Sequence, residues 1–98
     1  MKRIKLLSPA RAEIRAAMLW YESRQTGLGV EFVAVLDEAL EAIAARPESA
    51  PLWRTDRPWR KRVVRRFPYL VFFDVGSDLV TVVAVAHQRR RPGYWLNR

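Results

Sequence analysis

Two short stretches of this chain gather most of the side chains that do chemistry. His87, Arg89, Arg90, Arg91, Tyr94 and Trp95 follow directly on an almost unbroken apolar run from Leu79 to Ala86. Arginine forks match phosphate and carboxylate groups, and Tyr and Trp stack on bases or anchor an interface. The second stretch is Arg60-Lys61-Arg62-Val63-Val64-Arg65-Arg66. Strand alternation puts Arg60, Arg62, Val64 and Arg66 near one face and Lys61, Val63 and Arg65 near the other, so neither face is cleanly apolar. Such a strand either contacts an anionic partner or guards a sheet edge against aggregation. Arg60, Arg62, Arg66, His87, Arg89, Arg90, Arg91, Tyr94 and Trp95 are the candidate target- or partner-binding residues. The structural alternative has Tyr94 and Trp95 covering the end of a sheet and His87 serving as a hydrogen bonder.

Other chemistries lack their residues. The chain has no cysteine, which excludes disulfides and thiolate chemistry, and one histidine nearly excludes a structural zinc site. No serine has a plausible base, and the basic half holds no paired carboxylates. Gly27 and Gly29 lack the lysine and preceding strand of a phosphate loop. Neither a metal nor a cofactor is expected.

The formal net charge of +8 calls for an anionic partner. Met1 to Pro51 is neutral, with seven Lys or Arg against seven Asp or Glu. Leu52 to Arg98 holds eleven cations against Asp56, Asp74 and Asp78, and carries the whole excess. A length of 98 residues suits a single domain, 1–98, and a hydrophobic fraction of 50% argues against disorder. No apolar run approaches the roughly 18 to 20 residues that span a bilayer, and the N-terminal apolar part is too short for a signal peptide. A cytoplasmic protein without membrane contact is expected.

These residues need elements to hold them. Arg3 to Leu7 is a strand candidate ending at Ser8-Pro9, where serine can cap a helix and proline suits its first turn. The spacing of Ile14, Ala17, Met18 and Tyr21 predicts a helix over Pro9 to Arg24, with Trp20 at its flank. Thr26-Gly-Leu-Gly turns the chain into a second helix over Val30 to Ala45, with Phe32, Leu36, Ala39, Leu40 and Ile43 inward. Its Glu31, Asp37, Glu38 and Glu41 read as a solvated face. Arg46 to Pro58 is a loop. Arg60 to Phe67, Tyr69 to Val75 and Leu79 to Ala86 are strands, the last central, with Gly76-Ser-Asp78 as a hairpin turn. Pro68 argues for an edge or a bulge. The order predicts an α+β fold: an N-terminal strand, an αα-hairpin and a three-stranded antiparallel β-meander, with the helices on one face of the sheet and the other face open.

Ser8-Pro9-Ala10, Trp20-Tyr-Glu22, Gly27-Leu-Gly-x-x-Phe32, Pro47, Arg66-Phe-Pro-Tyr69 and His87-x-x-Arg-x-Pro-x-x-Trp95, taken in order, resemble the RelE/ParE family of toxins from type II toxin-antitoxin modules. The resemblance covers nearly the whole chain and implies the architecture reached from periodicity. It also implies neutralisation by a cognate antitoxin that wraps the toxin. RelE-like members cut ribosome-bound messenger RNA without metal; ParE-like members poison DNA gyrase. Metal-free cleavage needs a base, an acid and cations, and His87, Tyr94, Arg65 and Lys61 are the residues here that could supply them. Most of the cations are arginines, which do not exchange protons near neutral pH. The Trp-Tyr-Glu and Gly-Leu-Gly-x-x-Phe helices also resemble the ParE side more closely. A gyrase-directed toxin is therefore expected, with a ribosome-dependent endoribonuclease as the alternative. A non-toxic basic nucleic-acid-binding module is a second alternative.

Overall fold

Leu7 joins the first strand to the first helix without a turn between them. In the computed structural model, which describes residues 1–98, β1 spans Arg3–Leu6 and α1 spans Ser8–Arg24. The Leu7 N–H still bonds Val82 O (3.1 Å), while its carbonyl accepts the first helical bond from Arg11 N–H (3.0 Å). Leu7 is thus the N-cap, in extended conformation (φ −66°, ψ 151°), and no side chain caps the helix. The expected Ser8 cap is corrected: Ser8 is already helical because the sheet hands the chain over one residue earlier.

The turn into α2 (Leu28–Ala45) explains the Gly-Leu-Gly signature. Gly27 sits at φ 90°, a backbone region that L side chains rarely adopt. Gly29 lies against α1, where an added Cβ would come within 2.6 Å of Met18 O. Glu22, on α1, accepts from Gly27 N–H (2.8 Å) and Gly29 N–H (3.0 Å). It supplies the cap that α2 lacks locally, with negative charge at the positive end of the helix. The second helix starts two residues before the expected Val30.

The sheet is four-stranded and mixed, in the order β1-β4-β3-β2. β2 is Arg60–Val63, β3 is Tyr69–Val75 and β4 is Leu79–His87. β1 runs parallel to β4; β2, β3 and β4 form the antiparallel meander. β4 is central, as its two-faced apolar run predicts. β2 stops at Val63 rather than Phe67: Arg66 takes φ 71°, and the Val64 N–H turns back to Tyr69 O (2.9 Å). Pro68, with no N–H to give a ladder, sits in that turn.

A register shift at Phe72/Phe73 pairs Phe72 with Ala84 and Phe73 with Val82, leaving Val83 as the extra residue of a β-bulge. Val80 and Val82 face the helices before the bulge; Val85 faces them after it, and Val83, Ala84 and Ala86 face away. The bulge rephases the end of β4, so that His87, opposite Tyr69, comes to the helix side.

The main core lies between the hairpin and the sheet, where Ala10, Ala17, Tyr21, Phe32, Leu36 and Ile43 meet Val71, Phe73, Val82 and Val85. The opposite face is not open, a second correction. Phe72, Val83, Ala84, Ala86 and Trp95 form a second core flanked by Trp53, Trp59, Leu70 and Tyr94. The loop is pinned there by Trp53 N–H to Trp59 O (2.8 Å).

Candidate target-binding site at the basic tail

β1 is too short to cover β4. Its pairing ends at Leu6 opposite Val82, and beyond that point the outer edge of β4 has no neighbouring strand. Buried backbone groups need partners, and side chains supply them. The Val85 N–H donates to Glu13 Oε1 (3.0 Å), and the Val83 carbonyl accepts from Arg98 Nη1 (3.0 Å). The two side chains also bond each other, Arg98 Nη1 to Glu13 Oε1 (2.9 Å) and Arg98 Nη2 to Glu13 Oε2 (3.2 Å). This Glu13–Arg98 pair stands where a fifth segment of strand would otherwise lie.

The same carboxylate gathers the tail. Tyr94 donates its hydroxyl to Glu13 Oε2, and Arg90 Nη1 reaches that oxygen at 3.5 Å. Arg90 also lies over the Tyr94 ring, 3.6 Å from its centroid, with Arg98 at 5.0 Å. The Tyr94 hydroxyl is held well above its ordinary pKa of 10.0, first by burial, then by its hydrogen bond to Glu13 and by that residue's charge; Arg90 and Arg98 oppose the shift. Arg98 is raised as well, chiefly by its hydrogen bond to Glu13.

His87 opens a turn. Its carbonyl accepts from Arg90 N–H (3.0 Å), and its Nδ1 accepts from Arg89 N–H (3.1 Å). In the neutral ring the proton then sits on Nε2. The ring meets Tyr69 edge-on, centroids 5.3 Å apart, in a cleft shared with Ala17, Trp20 and Arg90. Tyr69 is also raised in pKa, by burial and then by Glu13. Arg89 and Arg91, on either side of Arg90, are exposed and have no acidic partner.

His87, Arg89, Arg90, Arg91 and Tyr94 are therefore brought together; the remaining candidates are not. Trp95 is buried, 1% exposed, and stacks on Phe72 with centroids 4.0 Å apart. The basic strand lies beyond β3 from β4. Arg60 is tied to the carbonyls of Ala50 (2.7 Å) and Glu48 (3.3 Å). Arg62 is partly buried opposite Val71 on the helix side, whereas Lys61 pairs with Phe72 on the other face. Arg65 bonds Glu38 (3.0 Å) and Arg66 bonds Glu31 (3.3 Å). Both reach α2 because the strand ends before them, so the alternation expected through Arg66 stops at Val63. Part of the acidic face of α2 is accordingly paired. No three His, Cys, Asp or Glu side chains gather in a group that could hold a metal ion.

Glu13 and Arg98 escaped the sequence reading. Glu13 left a signal: it stands three residues after Ala10 and four before Ala17, on the buried stripe of α1. A lone carboxylate on a core-facing stripe needs partners. Arg98 left none, because nothing local links it to a helix start 85 residues away.

No curated protein sequence gives a significant match. The fold is similar to a chain of a solved structure described as the chromosomal ParDE TA system from P. aeruginosa, with a TM-score of 0.75 and 17% identity over 89% of this chain and 96% of that one. Residues 4–92 match the family model described as the ParE toxin of the type II toxin-antitoxin system parDE. With that match spanning most of the sequence, the chain belongs to the ParE toxin family of type II toxin-antitoxin systems.

Proposed function

We propose that this ParE-type toxin arrests bacterial growth by binding DNA gyrase through its basic tail, trapping the enzyme on cleaved DNA, and that a cognate antitoxin neutralises it in the cytoplasm. The observation that carries the reading is that the groups that could move protons are either on the far face of the sheet or already bonded within the protein. Lys61 and His87 lie on opposite faces of the sheet, the Tyr94 hydroxyl is donated to Glu13, and Arg65 is paired with Glu38. An RNA-cleaving site needs base, acid and cation around one phosphate. What the tail offers instead is Arg89 and Arg91, two exposed guanidinium forks suited to carboxylates and phosphates. The protein is accordingly a binder rather than a catalyst.

The antitoxin is expected to bind as an extended, largely acidic segment that folds on the toxin, since a net charge of +8 favours such a cover. Growth arrest on expression, relieved by co-expressing the antitoxin, tests the toxin reading. Arg89→Ala with Arg91→Ala should weaken arrest, while His87→Gln should leave it close to wild type. Loss of arrest on His87→Gln, with the fold intact and messenger RNA cleaved by the wild type, would point to the endoribonuclease instead. Normal growth at well-detected levels of soluble wild type would leave only a basic binding module.

A further inference from the structure

Glu13 collects five hydrogen bonds from four residues: Val85 N–H, Tyr94 O–H, one from Arg90 and two from Arg98. A carboxylate offers about four lone-pair sites, and this one is only 13% exposed. It has no site left for a substrate proton or an incoming ligand. What it does is fix the tail at Arg90, Tyr94 and Arg98. Arg90 is the middle of three consecutive arginines, held down over Tyr94. Its neighbours Arg89 and Arg91 are exposed, as Arg90 itself is, but lack its contact with Glu13, and the backbone that carries them is set by the turn from His87 to Arg90.

We propose that Glu13 is the positioning residue of the basic tail: by pinning Arg90, Tyr94 and Arg98 it presents Arg89 and Arg91 to an anionic surface of the target without touching that surface itself. The inference rests on the gyrase-binding reading above and names a residue that reading does not contain. It makes a prediction opposite in sign to simple electrostatics. Glu13→Gln removes a negative charge and raises the net charge from +8 to +9, so charge alone would strengthen association with an anionic partner. Loss of positioning weakens it.

The test compares full-length wild type, Glu13→Gln, Arg89→Ala/Arg91→Ala and the triple variant for growth arrest at matched protein levels, gyrase binding, and thermal unfolding. Glu13→Gln is expected to weaken arrest and binding by about tenfold or more, the scale of losing one well-placed hydrogen bond to a charged group. In the Arg89→Ala/Arg91→Ala background it should have no further effect on either, although its effect on thermal stability persists there. A stabilising residue with no positioning role would weaken activity equally in both backgrounds. That result, or unchanged or tighter binding by Glu13→Gln, overturns the proposal. If Glu13→Gln does not accumulate as folded protein, Arg98→Gln, which removes two of the five bonds, takes its place; because it also lowers the net charge to +7, weakening alone does not discriminate, and the proposal stands only if the loss disappears in the Arg89→Ala/Arg91→Ala background. If the wild type neither arrests growth nor binds gyrase, the gyrase reading falls. Glu13 is then decided by hydrogen exchange: faster exchange of the Arg89 and Arg90 amides in Glu13→Gln supports its hold on the tail, and unchanged exchange refutes it.

Discussion

Tyr94 shows how a side chain suited to acid-base chemistry can be committed to structure. Its hydroxyl donates to Glu13 while Arg90 and Arg98 flank its ring. All three tyrosines of the chain, Tyr21, Tyr69 and Tyr94, have pKa values raised above 10.0, with burial as the first cause in each. A raised value favours the protonated phenol in the fold. The stability this contributes is complete below pH 10.0 and is lost as the pH climbs towards the folded-state values. Ultraviolet titration should therefore find no tyrosine ionising at the ordinary value in the native protein, with tyrosinate appearing only in stronger alkali. A tyrosine titrating normally while the fold persists would contradict this. Trp95 makes the complementary case. Truncation to alanine should cost about 3–5 kcal/mol in urea unfolding, as for a large aromatic in a packed core, whereas Arg89→Ala and Arg91→Ala should each stay within about 0.5 kcal/mol. The aromatic types were legible in the sequence, but their burial was not. Trp95 is covered by Trp53 and Phe72, residues 42 and 23 positions away, and no local spacing announces that contact.

At the scale of elements, the helical hairpin is joined by chemistry visible in one short stretch. Glu22 caps the second helix across the turn, and Gly29 lets the two helices close. Gly29→Ala should cost about 1–3 kcal/mol, the range for steric overpacking, because the atom its Cβ meets is a backbone carbonyl that cannot swing aside. Glu22→Ala should cost about 1 kcal/mol, as for loss of an N-terminal cap. Urea midpoints of the purified variants would check both; a neutral Gly29→Ala would mean that the helices can separate without loss. The hairpin, the bounds of β3 and the central place of β4 follow from periodicity. The bulge does not. Leu79 to Ala86 is apolar on both faces, so an inserted residue leaves no break in the pattern, and only pairing with β3 reveals which side His87 takes. β2 was read four residues too long because Val64 and Phe67, buried in the turn, mimic the apolar positions of a continuing strand.

For the molecule as a whole, the charge excess is distributed by pairing as much as by number. Arg65 and Arg66 are matched by the acidic face of α2, and Arg90 and Arg98 by Glu13. Arg57, Arg60, Lys61, Arg62, Arg89 and Arg91 keep no acidic partner, although Arg60 is tied to the carbonyls of Glu48 and Ala50. Counting residues located the excess in the second half of the chain; only the fold separates the committed cations from the free ones. Contacts made by exposed arginines are screened by salt over a Debye length of about 8 Å at physiological ionic strength. Gyrase binding should therefore weaken steadily with added salt, and less steeply in Arg89→Ala/Arg91→Ala. The most direct measurement incubates purified toxin with gyrase, ATP and supercoiled DNA, beside a parallel reaction of toxin with translating ribosomes and messenger RNA. The account predicts DNA cleaved and covalently linked to gyrase only when toxin, gyrase and ATP are all present, with the messenger intact. Codon-positioned cleavage of ribosome-bound messenger by the wild type, with gyrase unaffected, would contradict it.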